Sequence, residues 1–277
     1  MSDSDIPDLS ALGVPGAAQG AGALALYWTI GPSIQAVGRV FGEWTEYRLR
    51  NLLRIGEKVA KRIPSDPEPD GQGINPRAAK VLIEEASWVD DDLHQEYLAG
   101  LFVASRSPDG VSDDGAYYTR IVAGLSASQV RLHYGIYRAY YGSTLDGTGL
   151  DHRFNGSNDD LRAIAVWAPR QSYFDLAAAR EGAASGDGFA AAVHGLQREG
   201  LVTEVAPPVV DDPHIVAVPS LLGAVVYHRA MGYTPTGVDA IRSDRAQLQR
   251  INPEYTFAEL SPEPAQLAHA RIAPVRV

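Results

Sequence analysis

Residues 64–73 contain three prolines and two glycines, and no other segment constrains the fold as strongly. Proline lacks the N–H that a helix interior requires, and glycine loses the most conformational freedom when it becomes helical. A helix that begins before residue 64 therefore ends there. We interpret residues 64–73 as a linker inside a helical domain that spans residues 39–141.

Residues 39–63 show the spacing of a long amphipathic helix. The predicted inner face consists of Phe41, Trp44, Arg48, Leu52, Ile55, Val59 and Ile63, widened by Leu49, Leu53, Gly56 and Ala60. The predicted basic face consists of Arg48, Arg50, Arg54, Lys58, Lys61 and Arg62. A basic face of this kind is usually solvated, and it can also bind a protein partner or an anionic membrane.

Capping residues predict where the helices after the linker begin. Asn75 and Pro76 favour a helix start, because asparagine accepts from free N–H groups and proline fits the first helical position. The aspartates at residues 90–92 favour a second start, since negative charge stabilises the positive end of a helix. Ser126 and Gln129 match a capping box, which predicts a third start.

The final third of the chain has a mixed pattern. The expected elements are a loop at 142–160, a segment at 161–167 capped by Asp159 or Asp160, a helix at 169–181, a turn at Gly186 and Gly188, a helix at 189–199 ended by Gly200, strands at 201–205 and 214–218, and a helix from Ser220 to Gly232. This order predicts a winged-helix-like module at residues 161–250, followed by a proline-containing tail at residues 251–277. The predicted fold class is mainly α, with a helical N-terminal domain and a small C-terminal winged-helix-like α/β module.

Residues 1–38 form an Ala/Gly-rich segment. Residues 9–38 carry no charge, whereas a bilayer span needs about 20 apolar positions. Glycines and prolines interrupt this stretch, and only residues 17–30 can run as one unbroken helix. We expect the segment to pack closely on the rest of the fold, with a membrane segment as the alternative. Residues 1–8 hold three aspartates and no basic residue, unlike a secretory signal, so we expect a cytoplasmic protein.

Composition argues against several chemistries. The chain has no cysteine, which removes disulfides, thiolate metal sites and cysteine nucleophiles. Its net charge is −10, and residues 64–160 alone carry −9, so we expect it to repel phosphate backbones. The histidines lack the spacing of a helix-borne zinc site, and neither a phosphate-binding loop nor a nucleophile elbow is present. We therefore expect no catalytic residue, cofactor or metal, and a protein that is not an enzyme.

Two chemical alternatives are weaker. One is a divalent-cation site, formed by the aspartates at residues 90–92 with Glu84 and Glu85. The other is a noncontiguous active site, which no spacing in the sequence predicts. Its members would be Glu96, His133 and Asp151.

Segments along the chain resemble the abortive-infection alpha (Abi-alpha) family of bacterial helical proteins. The similar segments are residues 53–62, 86–101, 121–130 and 196–201, in the order and spacing typical of the family. The resemblance covers roughly residues 40–232. It implies a helical fold and a link to phage exclusion, and it brings no catalytic residues with it.

The resulting functional hypothesis is a non-enzymatic protein-interaction or sensor protein of a bacterial phage-defence pathway, with a phage or host protein as partner. One alternative is a winged-helix DNA-binding regulator that uses Arg180, His194 and Arg198, although the acidic net charge argues against nucleic acid as a partner. A second alternative is a membrane-perturbing effector that uses residues 9–62. A basic helix near an acidic domain also permits a homo-oligomer.

Overall fold

The protein, described by a computed structural model, is mainly helical and contains two small antiparallel sheets. The description covers residues 45–63, 72–108, 110–143, 164–177, 186–206, 214–233 and 271–274. The expectation of a mainly α protein is confirmed. The segment at residues 1–38 and most of the tail at residues 251–277 lie outside the described residues.

Helices dominate the described part of the N-terminal half. They are α1 (Thr45–Ala60), α2 (Pro76–Ala86), α3 (Asp92–Ala104), α4 (Asp114–Ala123) and α5 (Ala127–Ser143). Two short strands, β1 (Gln72–Ile74) and β2 (Arg106–Pro108), pair antiparallel and connect the start of α2 to the end of α3. The predicted linker at residues 64–73 therefore ends in a strand, because its last two residues pair with β2.

The predicted helix starts are confirmed by their hydrogen bonds. The Asn75 side chain accepts from the backbone N–H of Arg77 at 2.9 Å. The Asp91 side chain accepts from the backbone N–H of His94, the third residue of α3, at 3.0 Å. Ser126 and Gln129 form both bonds of the capping box, at 2.7 and 3.3 Å. Local side-chain chemistry thus sets these helix boundaries.

The described part of the C-terminal half combines helices with a sheet. Its elements are β3 (Ile164–Pro169), α6 (Arg170–Ala177), α7 (Gly186–Arg198), β4 (Val202–Ala206), β5 (His214–Pro219), α8 (Leu221–Ala230) and β6 (Arg271–Pro274). The strand order is β4-β5-β3-β6, and every neighbouring pair is antiparallel. Gly200 has a φ of +69°, as predicted for a left-handed helix end.

Two local predictions in this half are wrong, and a third is one residue off at its start. The expected capped segment at 161–167 is strand β3 from Ile164 onward, because its backbone pairs with β5 on one side and β6 on the other. The helix expected from Pro169 begins one residue later, since Pro169 still pairs with His214 in the sheet. The expected turn at Gly186 and Gly188 is the first turn of α7.

One continuous hydrophobic core runs through both halves. Its central element is α3, which packs against α1, α2, α4, α5 and α8. Helix α3 is buried at most positions from Leu93 to Ala104. Its buried side chains are mostly apolar, and the polar ones, His94, Gln95 and Glu96, are hydrogen-bonded. Gly100 lets α8 approach closely, because a Cβ at this position would overlap the carbonyl oxygen of Ala230.

Candidate functional site

Four charged side chains form a largely buried group between α1 and α3, which we call the ion cluster. Its members are Lys58, Arg62, Asp92 and Glu96. Arg62 Nη2 lies 2.9 Å from Glu96 Oε2, and Lys58 Nζ donates to both Glu96 and Asp92, the latter at 2.7 Å. Burial raises the pKa of Glu96, while Arg62 and Lys58 oppose that shift. The cluster links α1 to α3, and its charged groups are paired with one another.

The sequence pattern placed Lys58 and Arg62 on a solvated basic face. The structure shows that this prediction is wrong for both residues. Arg62 is buried, and Lys58 is half-buried over α3. The helical spacing places both on the side of α1 that carries Ile55 and Val59. Glu96 provides the counter-charge that makes this burial tolerable.

Aromatic rings and one imidazole form a second buried group, which we call the tyrosine–histidine cluster. Its members are Tyr97, His133, Tyr134, Tyr137 and Tyr227, with ring centroids 4.6 to 6.4 Å apart in the pairs that touch. Because Tyr134 and Tyr137 are buried, they cannot serve as a platform on which bases stack.

His133 is hydrogen-bonded through both ring nitrogens. Its Nε2 lies 3.1 Å from the carbonyl oxygen of Gly223, which only accepts, so we assign the ring proton to Nε2. Nδ1 then accepts from the Tyr97 hydroxyl at 2.9 Å. Burial lowers the pKa of His133 to about 3, so the ring is neutral at physiological pH.

Tyr137 connects the two halves of the molecule. Its hydroxyl donates to the carbonyl oxygen of Leu201 at 2.7 Å and accepts from the backbone N–H of Ser220 at 2.8 Å. Burial raises the pKa of this hydroxyl, which keeps it protonated as the donor. The contact fixes α5 against the start of β4 and the N-terminus of α8.

The structure separates the residues of the hypothetical noncontiguous site. Glu96 belongs to the ion cluster, His133 belongs to the tyrosine–histidine cluster, and Asp151 lies outside the described residues. Asp91 and Asp92 pair with Arg131 and Lys58, respectively. Within the described ranges, no group of three or more histidine, aspartate or glutamate side chains is arranged to hold a metal ion.

Two of the three residues predicted for a DNA-binding alternative lie in α7. His194 and Arg198 are one helical turn apart and both exposed. Arg198 forms an ion pair with Glu199 at 2.9 Å. Arg180 lies outside the described residues.

An exposed aromatic group lies where α1 begins and α2 ends, and we call it the aromatic–arginine patch: Tyr47, Arg48 and Trp88. Trp88 is 48% exposed and Tyr47 is 42% exposed. The Arg48 guanidinium lies 4.5 Å from the centroid of the Trp88 ring, and its Nε donates to Ser87 Oγ at 2.8 Å. The hydroxyl of Tyr47 reaches the carbonyl oxygen of Trp88 at 3.4 Å. The ring of Trp88 is thus held in place at the surface.

The exposed side of α1 continues this patch with positive charge. Arg50, Arg54 and Lys61 are exposed and follow helical spacing, and we call them the basic stripe. Glu57 is the acidic residue among them. The sequence analysis identified these three cations but missed the patch, although Trp88, two residues before a run of aspartates, was the signal available.

No protein-family model, curated protein or solved structure matches the chain. The structure defines a mainly helical protein, and its described residues include an exposed aromatic–arginine patch and a basic stripe. Among the helices of the described residues, none has the length and apolar character needed to cross a membrane.

Proposed function

We propose that the protein is a non-enzymatic protein-interaction or sensor protein of a phage-defence pathway of the abortive-infection kind. Its partner-binding surface is the aromatic–arginine patch together with the basic stripe. The observation that carries this proposal is Trp88, which is half exposed and yet held by Arg48. The few residues that dominate the binding energy of protein interfaces are enriched in tryptophan, tyrosine and arginine.

The buried polar groups support a role without bond chemistry. Glu96, His133 and Tyr137 bind other groups of the protein and join helices within the core. Their pKa shifts are caused first by burial, which also accompanies purely structural networks. The resemblance to the abortive-infection alpha family over residues 40–232 supports phage defence as the pathway to which the partner belongs.

Phage challenge of bacteria that express the full chain tests this function. We expect reduced plaque formation with loss of the infected host cells, and loss of this protection in Trp88→Ala. Tyr117→Ala is the matched control, because Tyr117 is an aromatic residue of α4 that is 55% exposed. Arg54→Glu tests the basic stripe separately, since it leaves the contact between Trp88 and Arg48 in place.

Two results would count against the proposal. If Trp88→Ala has native circular dichroism and protects as well as the wild type, the aromatic–arginine patch is not the partner-binding surface. If the wild-type chain protects against no phage of a broad panel and binds a defined metabolite or DNA sequence instead, the proposed role in phage defence is wrong.

A DNA-binding regulator is the second candidate, and the order of elements from α5 onward favours it. Helix, strand, two helices and two antiparallel strands follow one another, as expected for a winged-helix-like module with α7 as recognition helix. Gel shifts at increasing salt test this candidate. Tight binding that weakens steeply with salt, and further in Arg198→Ala, would favour it over protein interaction.

A membrane-perturbing effector that uses residues 9–62 is the third candidate, and the basic stripe favours it. Exposed arginines and lysines on one helix face attract anionic lipid. Flotation and leakage assays with phosphatidylglycerol vesicles test it, and an absence of association under all conditions would end it.

A further inference from the structure

Helix α1 carries more apolar surface than its contacts with the described core use. Leu52, Ile55 and Val59 belong to that core or pack against it. Four further residues lie about 100° round the helix from the centre of the side that carries Leu52, Ile55 and Val59. These are Leu49, Leu53, Gly56 and Ala60, which we call the second face.

The second face is partly shielded from solvent. Gly56 is buried, and Leu49, Leu53 and Ala60 are half-buried, whereas the cations of the basic stripe are exposed. Among the described residues, the side chains that pack against the core include Leu52 of α1 and Ile63, just after α1, but neither Leu49 nor Leu53. An apolar stripe that extends this far round a helix needs a second covering element.

We infer that residues 17–30 of the same chain dock on the second face. These residues carry no charge and contain no proline, so they can be buried along their whole length. As a helix they would span about 21 Å, against about 17 Å for the second face from Leu49 to Ala60. Small residues on both partners, Gly56 and Ala60 on α1 and the alanines and glycines of the segment, allow two backbones to approach closely.

Chain connectivity favours this occupant over a separate molecule. Only fourteen residues, 31–44, separate the segment from the start of α1, which gives it a high effective concentration at the second face. Gly31 and Pro32 lie directly after the segment and suit a reversal of chain direction. The basic stripe lies on another side of α1, so this docking is independent of the proposed partner surface and goes beyond it.

The absence of native cysteine makes the docking directly measurable in the full chain. We expect the thiol of Leu53→Cys to react with a maleimide at least about tenfold more slowly than the thiol of Arg54→Cys, which is the exposed neighbour. Pairing Leu53→Cys with Ala21→Cys or Ala25→Cys should yield an intrachain disulfide under mild oxidation. Pairing Arg54→Cys with the same two positions should not. Leu49→Cys replaces Leu53→Cys if circular dichroism shows that the latter is unfolded.

Three results would overturn the inference. Equal reaction rates for Leu53→Cys and Arg54→Cys would show that the second face is open. If the slow maleimide reaction of Leu53→Cys becomes fast on dilution, and only interchain disulfides form, the face is covered by a second copy of the chain. If Leu53→Cys reacts slowly with maleimide only when phosphatidylcholine–phosphatidylglycerol vesicles are present, the face is covered by a membrane.

Discussion

His133 joins three helices through a single imidazole ring. The residue lies in α5, accepts a hydrogen bond from Tyr97 in α3 and donates one to the carbonyl oxygen of Gly223 in α8. A protonated ring would donate from both nitrogens, so the present bond from the Tyr97 hydroxyl would be lost. It would also place a charge at a position without solvent exposure, which is why the pKa falls to about 3.

We expect His133→Phe to lower stability at pH 7 and to weaken its dependence on acid. Phenylalanine leaves the buried Tyr97 hydroxyl without its acceptor, at a cost of about 1–3 kcal/mol. The unfolded wild type binds a proton near pH 6.5 that the folded protein does not bind until about pH 3, so wild-type stability falls as the pH drops through this window. The difference between the two proteins should therefore shrink by about 1.4 kcal/mol per pH unit below 6.5.

Urea unfolding at pH 7, 6 and 5 measures this difference. His94 and His228 also have a pKa lowered by burial, but they are present in both proteins and cancel in the comparison. His194→Phe, at an exposed position of α7, controls for the loss of a histidine as such. A stability difference that stays constant across this range would show that His133 is protonated equally in both states.

At the scale of elements, α1 is attached to α3 by the ion cluster in addition to apolar packing. We expect Glu96→Gln to destabilise the protein by about 3–5 kcal/mol, because it leaves two largely buried cations with less counter-charge. Asp92→Asn is the matched control within the same cluster, and we expect it to cost at most about 1 kcal/mol, since the Asp92 side chain is half exposed. Chemical denaturation of both variants measures these costs, and equal losses would contradict the assignment.

Helix starts could be predicted from sequence because their determinants are local. Asn75 and the pair of Ser126 and Gln129 act within three residues of themselves, and the observed bonds match the pattern. Strand β3 was missed because its partners, β5 and β6, lie about 45 and 105 residues further along the chain. Long-range pairing, and not local propensity, determines the structure at these positions.

The candidate site was less predictable than the helices for a similar reason. The basic residues of α1 were visible in the sequence, but their division between a buried cluster and an exposed stripe depends on Glu96, which lies in another helix. The patch depends on Trp88 meeting Arg48 across 40 residues of chain. A sequence pattern identifies the chemical groups, whereas tertiary packing decides which of them remain accessible.

At the scale of the whole molecule, the two halves share a core instead of meeting at a polar boundary. Helix α8 from the C-terminal half packs on α3 and α5, and α5 packs on α6, α7 and β3. Tyr137 adds hydrogen bonds across the same junction. Contacts of this extent couple the free energy of unfolding of one half to that of the other.

We therefore expect the described part of the chain to unfold as one cooperative unit. Tyr173→Phe removes a buried hydrogen bond to the Val166 carbonyl oxygen, entirely within the C-terminal half, at a cost of about 1–3 kcal/mol. Native-state hydrogen exchange should show the same loss for the Leu98 amide in α3 as for the Val216 amide in β5. A loss confined to Val216 would mean that the halves unfold separately, in which case the shared core does not couple them.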